Sequence, residues 1–135
     1  MRLQFFLNPV TAGFPSPASD YVDKSIDLNE ILIKNKVATF LVRALGDSMV
    51  NAGIFSGDIL IVDKSITPTS KNIVVAILNG EFTVKRFIKD NNKIILRPEN
   101  SKYKEIEINS EDDFKIWGVV TFVIHNPNLW EMFLV

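Results

Sequence analysis

No cysteine occurs in the 135 residues, so disulfides, thiol redox chemistry and thiolate metal sites are excluded. Histidine is almost as scarce. The single one, His125, lies near the end beside Asn126 and Pro127, and one histidine without cysteine cannot build the usual zinc centres. No metal and no cofactor are expected. A Ser-His-Asp triad is open only if His125 is its base, and a lone late histidine more commonly sits at a strand end or on the surface. Long apolar runs are missing too: nothing approaches the roughly eighteen residues of a membrane span, and the apolar part of Met1-Arg2-Leu3-Gln4-Phe5-Phe6-Leu7 is too short for a signal-peptide core. The chain therefore reads as soluble and cytoplasmic. Charge of one sign is lacking as well. Fifteen Lys and Arg against sixteen Asp and Glu leave a net charge of −1, without the basic field that drives nonspecific DNA binding. Direct sequence-specific DNA binding is not expected.

What is present is globular: 47% hydrophobic and 23% charged residues, in a length suited to one domain that buries roughly two thirds of its unfolded surface. Three of the six glycines fall within residues 46–58, Gly-Asp-Ser-Met-Val-Asn-Ala-Gly-Ile-Phe-Ser-Gly-Asp. An apolar run enters this stretch at Ala38–Val42 and another leaves it at Ile59–Val62. Glycine permits the tight or left-handed turns such a link needs and lets another backbone come close. Locally, a connection whose Ser48 caps a short helix would look the same.

Ahead of this stretch, residues 1–16 form an arm broken by Pro9, Gly13 and Pro15 and made mildly apolar by Leu3, Phe5, Phe6, Leu7 and Phe14. Residues 17–135 form the domain proper. Ser16-Pro17 signals a helix from Pro17 to about Lys24, and Asp27 with Glu30 resembles a capping box opening a second short helix through Leu32. From Val37 the pattern is mostly strand. Asn79-Gly80 between Ile73–Leu78 and Glu81–Ile88 is a strong hairpin signal, and Asp90-Asn91-Asn92 turns the chain again before Lys93–Leu96. Arg97-Pro98-Glu99-Asn100 breaks that strand, Glu105–Ile108 alternates, and Ile116–Ile124 is a final apolar run. The expectation is a mainly β fold, all-β apart from one or two small helices, of six or seven antiparallel strands.

Alternation along Glu81–Ile88 places Thr83, Lys85 and Phe87 on one face, with no carboxylate beside Lys85. A lysine desolvated there has a lowered pKa, and its neutral amine can accept a proton from a serine hydroxyl. From the strand alone, an edge-strand lysine that discourages aggregation is the better reading.

Together, Gly-Asp-Ser-Met-x-x-Ala-Gly-Ile at 46–54, Gly-Asp-x-Leu-Ile-Val-Asp at 57–63 and Gly-Glu-x-Thr-Val-Lys-Arg at 80–86 resemble the LexA/UmuD family of self-cleaving proteins with a serine–lysine dyad. The 37 residues from Ser48 to Lys85 fit that family. Ala12-Gly13-Phe14-Pro15-Ser16-Pro17-Ala18 with Asp20-Tyr21 resembles the cleavage region of its UmuD branch, and Leu96–Asn100 and Ile116–Thr121 also fit. The resemblance covers about residues 10–125. It implies a fold of several twisted antiparallel sheets, Ser48 as nucleophile, Lys85 as general base, and Ala12–Gly13 as the bond cut. Asp47 and Ser48 N–H groups are candidates for the oxyanion hole, and Thr83 is placed to orient the amine. The implied role is in the DNA-damage response: cleavage promoted by a RecA filament on single-stranded DNA, and a trimmed homodimer serving a UmuC-type translesion polymerase. A repressor is not expected, since twelve residues before the cut cannot hold a helix-turn-helix domain. Signal peptidases share the dyad, but no membrane anchor is seen. A noncatalytic interaction subunit and a protease acting in trans are the rivals. The apolar tail 126–135 is longer than expected for UmuD and invites a partner.

Overall fold

The protein is described by a computed structural model over residues 1–6, 10, 12–13 and 22–128. It divides into two compact units, Met1–Lys34 and Asn35–Val135.

In the first unit, β1 (Leu3–Phe6) pairs antiparallel with β2 (Val22–Ile26), Leu3 opposite Ile26 and Phe5 opposite Lys24. Arg2 reinforces the pair, donating from Nη2 to the Ser25 carbonyl at 2.6 Å. This corrects the helix expected from Pro17 to Lys24, because residues 22–24 are strand. Eight residues make a marginal helix, whereas pairing with β1 satisfies the backbone of these residues with ladder hydrogen bonds. The start of that expected helix, and the tail beyond Asn128, lie outside the described residues. Asp27 caps α1 (Leu28–Leu32) as expected, its carboxylate accepting from the Asn29 N–H at 3.0 Å. No described helix is long and apolar enough to cross a membrane.

The second unit is a seven-stranded antiparallel sheet built from β3 (Thr39–Arg43), β4 (Ile59–Asp63), β5 (Ile73–Leu78), β6 (Glu81–Asp90), β7 (Lys93–Arg97), β8 (Ile106–Ile108) and β9 (Phe114–Ile124). The order is β3-β4-β9-β5-β6-β7-β8. Both expected hairpins form. Asn79 and Gly80 have φ of 51° and 83°, and Asn91 and Asn92 have 47° and 67°, the paired left-handed geometry that matches strand twist. The last strand, β9, runs back between β4 and β5 and so separates strands that are neighbours in sequence. It is irregular on both sides. The register against β5 slips at Trp117, and against β4 at Thr121, whose hydroxyl donates to the Ile61 carbonyl at 3.2 Å.

Apolar side chains cover both faces of this sheet, which is why β4 reads as an apolar run from Ile59 to Val62 and is buried at all five positions, Asp63 included. On one face Leu60, Val62 and Val75 pack with Ala44, Met49 and Ile54; on the other Val74, Ala76, Phe87, Leu96 and Val119 cluster. Met49 and Ile54 belong to the glycine-rich stretch. The core thus holds the loop that carries Ser48.

Candidate active site

The loop between β3 and β4 is pinched at its neck. Ala44 N–H donates to the Asp58 carbonyl at 2.8 Å, and Gly57 N–H donates to the Ala44 carbonyl at 2.7 Å. Asp58 is buried, and both carboxylate oxygens are used: one accepts from the Phe55 N–H at 2.8 Å, the other lies 2.6 Å from His125 Nδ1. His125 is therefore a partner of Asp58 at the base of the loop, with the Phe55 ring 5.1 Å from its own. Beyond the neck, Val50–Ala52 form one 3-10 turn closed by Gly53 at φ 82°. Buried Met49 and Ile54 flank that turn and fix Ser48, half-buried, against the sheet.

Across from it, Lys85 reaches up from β6. Its Nζ lies 3.2 Å from Ser48 Oγ, 2.8 Å from Thr83 Oγ1 and 3.1 Å from the Val84 carbonyl. Thr83 shares Lys85's face, as alternation requires. Burial lowers the Lys85 pKa from its ordinary 10.5, because desolvation disfavours the ammonium. A neutral amine has two N–H donors and one lone pair. In that form Thr83 Oγ1 and the Val84 carbonyl would accept from the two donors and leave the lone pair for the Ser48 hydroxyl. A cavity of about 290 Å³ opens over the pair, lined by Ala44, Leu45, Gly46, Met49, Ile54, Val75 and Phe82 among others. Apart from Arg43, Thr83 and the pair itself its walls are small or apolar, chemistry suited to a peptide with small side chains.

The N–H groups of Asp47 and Ser48 donate to no other described residue. They are free to meet an anion. Ala12 and Gly13 belong to the first unit and are exposed. Among the described residues, no group of three or more His, Asp or Glu side chains is disposed to hold a metal ion.

Several residues that shape the site escaped sequence reasoning. Glu99 N–H donates to the Ser48 carbonyl at 2.8 Å, and its carbonyl accepts from Asn51 N–H at 2.9 Å. Asn100 Nδ2 donates to the Asp47 carbonyl at 2.8 Å, and the Tyr103 hydroxyl bonds the Asp47 carboxylate. That contact raises the Tyr103 pKa, chiefly through the hydrogen bond to a negative acceptor. In the sequence, Arg97-Pro98-Glu99-Asn100 signalled the end of a strand and fitted the family pattern, with no role given to any of its residues. The polar side chains of that break were the available clue, but nothing said which loop they would meet.

Comparison with known proteins agrees with this geometry. The family profile described as Peptidase S24-like matches residues 4–121. Protein SamA of Salmonella typhimurium is 45% identical over 120 residues, covering 89% of this chain and 83% of SamA. Protein ImpA of Escherichia coli is 42% identical over 125 residues, covering 89% of this chain and 81% of ImpA. Protein MucA of Escherichia coli is 38% identical over 127 residues, covering 93% of this chain and 86% of MucA. With a mostly β antiparallel fold and a match that runs through both Ser48 and Lys85, the chain belongs to the Peptidase S24-like family, on its UmuD-like side.

Proposed function

We propose that this chain is a self-cleaving serine peptidase of the DNA-damage response that cuts its own Ala12–Gly13 bond, with Ser48 as nucleophile and Lys85 as general base. The observation that carries the reading is the 3.2 Å approach of Lys85 Nζ to Ser48 Oγ, made by an amine whose other two partners are acceptors. In the first step Ser48 Oγ attacks the Ala12 carbonyl carbon as its proton passes to Lys85 Nζ. The Asp47 and Ser48 N–H groups receive the oxyanion of the tetrahedral intermediate. On collapse, the bond to Gly13 breaks and Lys85 returns the proton to the Gly13 amine. Water, deprotonated by the same lysine, then attacks the Ala12 acyl carbon; the bond to Ser48 Oγ breaks, Lys85 returns that proton to Oγ, and Ala12 leaves as a carboxylate with its acid proton lost to solvent.

In this reading residues 1–16 are the arm and 17–135 the peptidase domain, working in the cytoplasm without a cofactor. The RecA filament on single-stranded DNA promotes cutting by favouring the arm conformation that lays Ala12–Gly13 across Ser48. A bias of a few kcal/mol, about a hundredfold or more in population, is enough. The trimmed homodimer then serves a UmuC-type translesion polymerase. Similarity to SamA, ImpA and MucA over most of each chain supports the placement on the UmuD side. The test is the intact mass of purified protein incubated with RecA, nucleotide and single-stranded DNA. A product beginning at Gly13 is expected, absent in Ser48→Ala and in Lys85→Ala. Cutting that persists in either variant rejects the assignment.

A further inference from the structure

We propose that Arg86 and Glu99 are positioning residues for this reaction: their ion pair ties the strand that carries Lys85 to the loop that carries Ser48, and so sets the separation of the reacting atoms. The proposal rests on the dyad reading above.

Arg86 follows Lys85 on β6, and alternation sends its side chain to the opposite face. Its Nε donates to Glu99 Oε1 at 2.8 Å and its Nη1 to the Lys71 carbonyl at 2.9 Å. Both members of the pair are about three-quarters covered, with side-chain exposures of 28% and 26%. Glu99 in turn holds the serine loop through its backbone, at the Ser48 carbonyl and at Asn51 N–H. A closed circuit results. From Lys85 it passes along the chain to Arg86, through the ion pair to Glu99, through one hydrogen bond to Ser48, and back through Oγ to Nζ.

Charge neutralisation alone would give the pair another purpose, since Arg86 stands directly opposite Arg97 across β6 and β7. Arg97 has its own carboxylate, however, in Glu105 at 2.7 Å. Glu99 is the carboxylate whose backbone grips the nucleophile. A single ion pair that keeps about a quarter of each side chain open to water adds little to global stability. Displacing a reacting atom by about 1 Å costs on the order of a hundredfold in rate. The pair should therefore matter far more to cutting than to folding, and that contrast separates the two roles.

The experiment measures the first-order self-cleavage rate of the full chain from pH 7 to 10 by intact mass, with thermal melting alongside. The variants are Arg86→Gln, Glu99→Gln, the double substitution, and Arg86→Lys. Each Gln variant should slow cutting by about thirty- to a hundredfold at every pH, leaving the profile's midpoint and the melting temperature nearly unmoved. The double variant should be no slower than either single one, because both break one link. Arg86→Lys should recover part of the rate by restoring the ion pair without the Lys71 bond. Wild-type rates in the Gln variants, additive losses, or losses matched by a proportionate fall in melting temperature would each overturn the proposal. Lys85→Ala in the same series keeps the two readings apart. If it cuts, the dyad reading falls; if it is inert while Glu99→Gln cuts normally, the positioning role alone falls.

Discussion

The perturbation that probes this site most directly is pH. In the proposed reaction Lys85 acts only when neutral, and burial lowers its pKa from 10.5. Below the folded-state midpoint, the neutral fraction grows about tenfold per pH unit, so spontaneous cutting should rise up to a hundredfold between pH 7 and 9. It should then level off at a pH below 10.5, since desolvation moves the midpoint in that direction alone. The same shift has a consequence for stability. The unfolded chain binds the Lys85 proton more tightly than the folded one, so this group's contribution to stability rises with pH between the folded midpoint and 10.5. Below the folded midpoint the ammonium is held where burial leaves it poorly solvated. Lys85→Met should then abolish cutting while raising the neutral-pH melting temperature, a trade of stability for activity. Lys85→Arg should also be inert, because a guanidinium keeps its proton throughout the usable range. The assay is intact mass for the product beginning at Gly13, paired with thermal unfolding of the Ser48→Ala background. A rate independent of pH from 7 to 10, or wild-type cutting by Lys85→Arg, refutes the reasoning.

Thr83→Val removes an acceptor 2.8 Å from Lys85 Nζ while keeping the side chain's shape. A neutral hydrogen bond is worth about 1 kcal/mol, so the cleavage rate should fall about five- to tenfold, and an unchanged rate would deny Thr83 an orienting role. A Cβ at Gly118 would lie 2.5 Å from Val62 Cγ1, on a stiff β-branched side chain in the packed core. Gly118→Val should thus cost about 1–3 kcal/mol and lower the urea midpoint, whereas a wild-type midpoint would show that β9 can shift. His125→Ala removes the partner of buried Asp58 and should destabilise by about 1–3 kcal/mol. Below its melting temperature its cutting rate should stay within about threefold of wild type, because His125 contacts Asp58 and not the dyad; inert but folded protein would return the histidine to the chemistry.

Legibility tracked the range of the interactions involved. The two hairpins were readable because Asn79-Gly80 and Asn91-Asn92 carry their own turn chemistry. Asp27 announced its helix for the same reason. Pairing of Lys85 with Thr83 followed from alternation within one strand, but its meeting with Ser48 came from the family resemblance, not from local pattern. Residues 22–24 were misread because their strand partner lies some twenty positions earlier, and local propensity cannot see it. The insertion of β9 between β4 and β5 was equally invisible, since an apolar run states that it is buried and not between which neighbours.

The same distinction explains how the site depends on the fold. Ser48 sits on a loop whose glycine-rich sequence permits many shapes, and the contacts that select one come from far along the chain. Glu99 and Asn100 bind its outer part from about fifty residues later, and His125 closes on Asp58 at its base from 67 residues away. Each contact closes a long loop, and its entropic cost is recovered only when neighbouring strands are in place. Hence the geometry of Ser48 depends on β7 and β9 being joined to the sheet. Lys85 gains its acceptors locally, from Thr83 and Val84, as soon as β6 is extended. The proposed base is therefore organised by short-range structure and the proposed nucleophile by long-range structure. Substitutions that loosen β7 or the end of β9 should impair the site by releasing Ser48, leaving Lys85 where it is.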